Sequence, residues 1–332
     1  MIVRDVETHA VTLMDIPLWL RLMDKATVLD NEFEYTREVG APNGAELSRA
    51  LWQRDFHTLI TRSGRQPVIG QFRLRSDQPT AQIVYLAPYQ ETDSDDQAWL
   101  YTLDAMAQEA GKREARALVA EVSEESELIT IMRSAGYAVY ARQQIWWRDP
   151  TAAMTTTATA YLREATEADT LRIQSLLAHT VPPLLQPLTG VLGNPNGWIY
   201  APNDRTGAYF ATTQGKYGVY VVPHFHPDYQ DEAGAIFRAL LSQIRRTQQR
   251  PVYVCVRHHQ DWIAEVLEKT RFAPGPQQAV MVKHLTARVR QTTLEITPET
   301  AWAFAVPEPP TSSAIAVIPE AGRARKKSWK DE

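Results

Sequence analysis

The chain has 332 residues, 44% of them aliphatic or aromatic and 22% charged, and a formal net charge of −4. That length suits two cores better than one, and the charge excludes a general attraction to nucleic acid or an anionic membrane. A lone Cys255 excludes an internal disulfide framework, and no run reaches the roughly 18 apolar residues that a membrane helix needs. The opening MIVRDVETHA is charged and lacks the apolar stretch of a secretory signal, so a cytoplasmic protein is expected.

In chain order, Pro67–Ser76 and Thr80–Tyr89 are rich in β-branched and aromatic residues and predict two strands. Asp93–Ala110 follows as a helix with Trp99, Leu100, Leu103 and Met106 inward, three and four apart. Ala115–Val122 predicts a buried strand, Glu124–Ala135 a second helix and Tyr137–Arg148 a closing strand. Asp149–Ala160, rich in Thr and Ala without apolar periodicity, is expected to link two domains. After it, Thr166 with Asp169 three residues on resembles a capping box for a helix burying Leu171, Ile173, Leu176 and Leu177.

The second half repeats the order. Thr206–Gln214 and Lys216–Phe225 predict strands, and Glu232–Arg246 a helix with Phe237, Leu240, Leu241 and Ile244 inward. Pro251–Arg257 predicts a strand, Gln260–Thr270 a helix and Gln277–Leu285 a strand. The offsets are nearly constant: Tyr137 and Phe272 differ by 272 − 137 = 135, Tyr89 and Tyr229 by 229 − 89 = 140. Duplication of one fold explains this. From residue 286 the chain is rich in proline and then in basic residues, and a mobile tail is expected.

Three stretches carry a family resemblance. YLREATEADTLRIQSLL (161–177), HPDYQ (226–230) and SAGYAVYARQQIWW (134–147) resemble the opening, the strand-to-loop signature and the closing hinge of the GNAT superfamily of acyl-CoA-dependent N-acyltransferases. The resemblance covers about residues 1–148 and 161–285. It implies two tandem α/β domains, each a mixed, largely antiparallel sheet flanked by helices, joined by a linker at 149–160.

It also implies acetyl-CoA or another acyl-CoA as substrate, with no metal. The family's cofactor loop presents backbone N–H groups and a helix N-terminus to a pyrophosphate. Here Gln230-Asp231-Glu232-Ala233-Gly234-Ala235 occupies it, with alanine at the inner glycine and two acids beside the helix mouth. Phe225, Gln230, Ala233, Gly234 and Ala235 are the cofactor contacts the resemblance implies. In the first half YQETDSDDQAW has no glycine, and its acids suit the helix dipole without a phosphate. The first half is therefore expected to be non-catalytic.

Histidines flank the second half's strand ends. A histidine where amine and thioester meet serves as general base, with His224 the first candidate and His258 the second; surface hydrogen bonding is the plainer role. Zinc on His224 and His226, completed by His258 or Asp228, has no further spacing to support it. The family's usual tyrosine acid would fall at Met132 or Leu267, and neither donates a proton. Thr180–Trp198 forms either an apolar rim for a peptide or hydrophobic partner or a loop packed on the other domain.

The sequence thus predicts an N-acyltransferase acting on a small-molecule or peptide amine through its second half. A catalytically silent GNAT-like scaffold is the alternative. Pairing of the two halves is expected, a homo-oligomer is left open, and neither nucleic acid nor membrane is expected as a partner.

Overall fold

The computed structural model describes residues 6–37, 54–63, 66–76, 78–88, 96–152, 160–189, 195–202, 205–247 and 250–285. The acidic stretch at 89–95, most of the expected linker and the tail lie outside them. Met1–Ala287 forms one compact unit.

The first half runs β1 (Glu7–Ala10), α1 (Ile16–Met23), β2 (Thr27–Val28), α2 (Asn31–Thr36), β3 (Phe56–Ser63), β4 (Gln66–Arg73), β5 (Thr80–Ala87), α3 (Asp96–Lys112), β6 (Ala117–Ser123), α4 (Leu128–Ser134) and β7 (Ala138–Arg148). The second runs β8 (Arg163–Glu164), α5 (Thr170–Thr180), α6 (Gln186–Thr189), β9 (Gly197–Tyr200), β10 (Ala208–Gln214), β11 (Val219–Phe225), α7 (Ala233–Thr247), β12 (Val252–Arg257), α8 (Ile263–Lys269) and β13 (Ala273–His284). Several strands escape the sequence pattern, β3 and β9 among them. β3 alternates only weakly, and β9 has four residues.

Local signals recur in both halves. Before α1, the Asp15 carboxylate accepts from Thr12 N at 3.0 Å and Thr12 Oγ1 at 2.7 Å. Before α5, Asp169 accepts from Thr166 N and Oγ1, both at 3.0 Å. Each buried aspartate also meets an arginine, Arg62 at 2.9 Å and Arg163 at 2.6 Å. These bonds fix the turn into the helix. One inward residue is misplaced by the periodicity: Leu171 is 78% exposed, while Ile173, Leu176 and Leu177 are buried. The short helix turns just enough of its face inward for those three.

The closing turns also match. Tyr137 N donates to Met132 O and Phe272 N to Leu267 O, each at 3.0 Å. The residue before each aromatic has positive φ, +85° at Gly136 and +65° at Arg271. Met132 and Leu267 are fully buried under their helices.

The expected mixed, largely antiparallel sheet is present, and it runs without a break through both halves. Among the described residues its order is β1-β3-β4-β5-β6-β13-β7-β12-β11-β10-β9-β8, with β2 beside β5. The last strand of each half has crossed over. β13 pairs with β6, β7 pairs with β12, and β7 and β13 pair antiparallel with each other. The two parallel pairs are β5–β6 and β11–β12.

Two main cores lie on one face, under α3 and α4 in the first half and α7 and α8 in the second. The opposite face is covered by α1 and α5, and there the halves interlock again. Tyr35 of α2 stacks on Tyr253 at 4.3 Å between ring centroids and on Tyr220 at 6.3 Å. Gly215 is needed here, because a Cβ would sit 1.9 Å from the Thr36 carbonyl oxygen.

Candidate functional site

Each parallel pair holds together for three rungs and then parts. β5 and β6 pair through Gln82↔Val119, and β11 and β12 through Val221↔Val254. Beyond those rungs the two gaps differ.

In the first half the chain itself bridges the gap. Thr27 pairs with Leu86 and Val28 with Tyr85. Leu29 N donates to Val84 O at 2.9 Å, and Leu29 O accepts from Glu121 N at 3.0 Å. Asn31 N then donates to Glu121 Oε2 at 2.8 Å. Asp30 anchors the segment, its carboxylate 2.8 Å from the buried Arg73 and accepting from Phe33 N at 3.1 Å. The bridge satisfies strand-edge groups that would otherwise be left without partners.

The segment after α5 behaves differently. Val181 and Leu185 pack against Ile173, Ile199 and Tyr209. Leu185 N and Gln186 N both donate back to Pro182 O, so the segment curls on itself. Pro182 and Pro183 have no N–H with which to form strand rungs.

Among the described residues no strand bridges the second gap, which has His224 on its β11 side and Arg257 on its β12 side. Val219 N donates to Pro251 O, so by alternation the polar backbone of 219, 221, 223 and 225 faces β12. The gap edge of β11 therefore carries the Pro223 carbonyl and the Phe225 N–H. Side chains alternate likewise. His224 shares a face with Tyr220, and Arg257 with Cys255 and Tyr253, on the side away from α7 and α8.

His224 is 4% exposed and stacks on Tyr209, and among the described residues its Nδ1 has no hydrogen-bond partner. Arg257 Nε and Nη1 and His259 Nε2 are also buried without partners among the described residues. Burial, and next the Arg257 guanidinium, push the His224 imidazole down to about 3. Burial and Arg257 likewise lower His259 to about 4. His224 is thus a neutral ring near pH 7, a hydrogen-bonding group in place of the near-neutral base that the strand-end pattern implied. His258 lies at the exposed rim, its Nδ1 2.6 Å from Asp261 Oδ2. His226 Nδ1 lies 3.3 Å from Asp228 N, which donates to it. Among the described residues no group of three or more His, Cys, Asp or Glu could hold a metal ion.

The loop after β11 is wound into tight turns. Tyr229 N donates to His226 O, Gln230 N to Pro227 O, Glu232 N to Tyr229 O and Ala233 N to Gln230 O. Ala235 N and Ile236 N both donate to Glu232 O. Glu232 Oε2 accepts from Tyr200 Oη at 2.6 Å, which places a carboxylate beside the start of α7. Ala233 is fully buried, and Phe225 packs among Phe210, Phe237 and Trp262. A Cβ on Gly234 would meet only Arg238 Nη1, at 3.5 Å.

Sequence reasoning picked out His224 and missed Arg257, which reads as an ordinary strand end. The available signal was parity, since Arg257 falls on the same strand face as Tyr253 and Cys255. It also missed the Thr27–Asn31 bridge, whose partners lie more than fifty residues away.

No model of a known protein family matches the chain, and no curated protein matches it. Solved structures do. A tandem GNAT protein from the clavulanic acid biosynthesis pathway superposes with a TM-score of 0.51 at 13% identity, covering 85% of this chain and 99% of that one. A GCN5-related N-acetyltransferase from Sphaerobacter thermophilus superposes with a TM-score of 0.53 at 10% identity, covering 84% and 96%. With its helix-flanked mixed sheet, two parted strand pairs and matched halves, this chain has the fold of the tandem GNAT proteins.

Proposed function

We propose that the second half binds acetyl-CoA or another acyl-CoA in the gap between β11 and β12 and transfers the acyl group to an amine. The observation that carries this is the contrast between the gaps. One is bridged by Thr27–Asn31, whereas the other presents parted strand edges and unpartnered buried nitrogens on His224 and Arg257.

The Phe225 N–H is the backbone donor suited to polarise the thioester carbonyl, while Pro223 contributes only its carbonyl. The amine nitrogen bonds to the acyl carbon, the C–S bond breaks, and the thiol leaves with the proton the amine gives up. Neutral His224 orients a reactant by hydrogen bonding, and His258 at the rim is the remaining candidate for the general base. Gln230, Ala233, Gly234 and Ala235 remain the contacts proposed for the pyrophosphate, through the turn's backbone and the start of α7. The acceptor is a small-molecule or peptide amine, and the cytoplasm is the proposed compartment.

The wound loop favours a second reading, a silent scaffold. The N–H groups of Tyr229, Gln230, Glu232, Ala233, Ala235 and Ile236 already donate to carbonyls, and the Glu232 carboxylate lies beside the start of α7. Calorimetric titration of the full chain with acetyl-CoA separates the two. Saturable binding with a rise in melting temperature is expected; no heat and no shift at millimolar ligand would leave the scaffold reading alone.

A further inference from the structure

Arg257 lies three residues past the last rung of β12, at the edge of the gap. Among the described residues, two of its nitrogens, Nε and Nη1, are buried with no hydrogen-bond partner, and no carboxylate lies within ion-pair distance of it. The acid whose field it feels is Glu121. That carboxylate is already engaged, accepting from Asn31 N at 2.8 Å and Gln143 Nε2 at 3.0 Å. Burial also favours its protonated form. Gln143 sits opposite Arg257 on β7, and its Oε1 likewise has no donor among the described residues, but it is neutral.

Around this cation the polar nitrogens converge. His224 stands three residues past the last β11 rung, Arg257 three past the last β12 rung, and both project from one face. His259, in the turn after β12, adds a buried Nε2. An unpaired cation half-buried among neutral imidazoles is costly to maintain, and a carboxylate would satisfy it with short charge-assisted bonds. A guanidinium fork suits a planar carboxylate in bidentate geometry.

We propose that Arg257, with His224 and His259, forms a binding site for a carboxylate presented in the β11–β12 gap. This rests on the acyltransferase reading and narrows it, because the carboxylate belongs either to the acyl chain or to the acceptor amine. The substrate is then a dicarboxylic acyl thioester or an amino acid.

The test uses the full chain and three proteins: wild type, Arg257→Gln and Arg257→Lys. Circular dichroism and melting temperature establish that each is folded. Calorimetry compares succinyl-CoA with acetyl-CoA, and acetyl transfer to glycine and alanine is compared with transfer to their amides. If the acyl chain carries the carboxylate, succinyl-CoA binds at least about tenfold tighter than acetyl-CoA, and Arg257→Gln removes the difference. If the acceptor carries it, the free amino acids exceed their amides by a similar factor in kcat/KM, again only with Arg257 present. Arg257→Lys restores part of either preference, which a purely structural arginine would not do.

Acetyl-CoA binding with no carboxylate preference above about twofold in wild type would overturn the site and leave the acyltransferase reading standing. Saturable binding of free succinate that Arg257→Gln abolishes, with no binding of either thioester, would support the site and end the acyltransferase reading. A preference that survives in folded Arg257→Gln would also overturn the assignment.

Discussion

Gln143 and Gln278 are 135 residues apart and face each other as antiparallel partners on β7 and β13, with Gln143 Nε2 donating to Gln278 Oε1 at 3.2 Å. The same offset separates Tyr137 from Phe272, so each glutamine is its partner's counterpart in the other copy of the fold. The axis relating the halves passes between them. Asn31 locks the pair from the first half, donating through Nδ2 to Gln278 Oε1 at 2.6 Å and accepting from Gln278 Nε2 at 2.9 Å.

Gln278→Ala strands the buried Asn31 amide and removes one acceptor from Gln143. A loss of about 2–4 kcal/mol is expected from one unsatisfied buried amide and a broken network. Urea denaturation followed by fluorescence measures it. A change under about 0.5 kcal/mol would show that the network is not formed in solution.

Exchange of β7 and β13 means that neither half owns a complete sheet. Residues 1–150 expressed alone are expected to form a homodimer through β7 or to be insoluble, and never a stable monomer. Light scattering on the purified fragment decides this. Co-expression with 160–285 should recover a heterodimer with the spectrum of the full chain.

The buried imidazole of His224 sets a pH dependence. Its pKa is lowered to about 3 in the folded chain against 6.5 for an ordinary histidine. Between those values the unfolded chain binds the extra proton, so stability falls as pH drops from about 6.5 toward 3. His224→Asn should flatten that slope, by up to a few kcal/mol at the acid end. Denaturation midpoints at pH 7, 5 and 4 check this, together with a His224 ring resonance that stays unshifted from pH 8 to 5.

Glu34 works in the opposite sense. Burial, with Glu121 and Asp30 nearby, raises it from 4.5 to about 7. The folded chain holds the extra proton between those values, so this contribution is full below pH 4.5 and is lost as pH rises through 7. Glu34→Gln is expected to stabilise the protein at pH 8 relative to wild type by about 1–3 kcal/mol, with the gain vanishing near pH 4.5. Melting temperatures at the two pH values provide the comparison.

Arg271 holds φ at +65° in a turn where the first half places Gly136. Arg271→Gly relieves the left-handed conformation at the expense of a floppier unfolded chain, for a net gain of about 0.5–1 kcal/mol. Thermal unfolding tests it, and a loss of stability would mean that the arginine side chain contributes more than the strain costs.

The duplication, the Thr166–Asp169 capping turn and the Gly-aromatic hinge were legible in the residues. Thr166 meets Asp169 three residues on, and Tyr137 reaches back only to Met132. Strand composition alone also marked β5, β6, β11 and β12. What it left open is who pairs with whom. β7 and β13 are each compatible with either neighbouring sheet edge, and the packing of Tyr35 of α2 on the second half, with the buried Gln143–Gln278–Asn31 bonds, favours the exchanged arrangement. The same holds for the two gaps. That Thr27–Asn31 closes one depends on partners more than fifty residues away, and that the segment with Pro182 and Pro183 curls away from the other depends on its packing against Ile173, Ile199 and Tyr209. His224 and Arg257 become neighbours only after that choice, since the strands carrying them meet through the tertiary fold and not through any local signal.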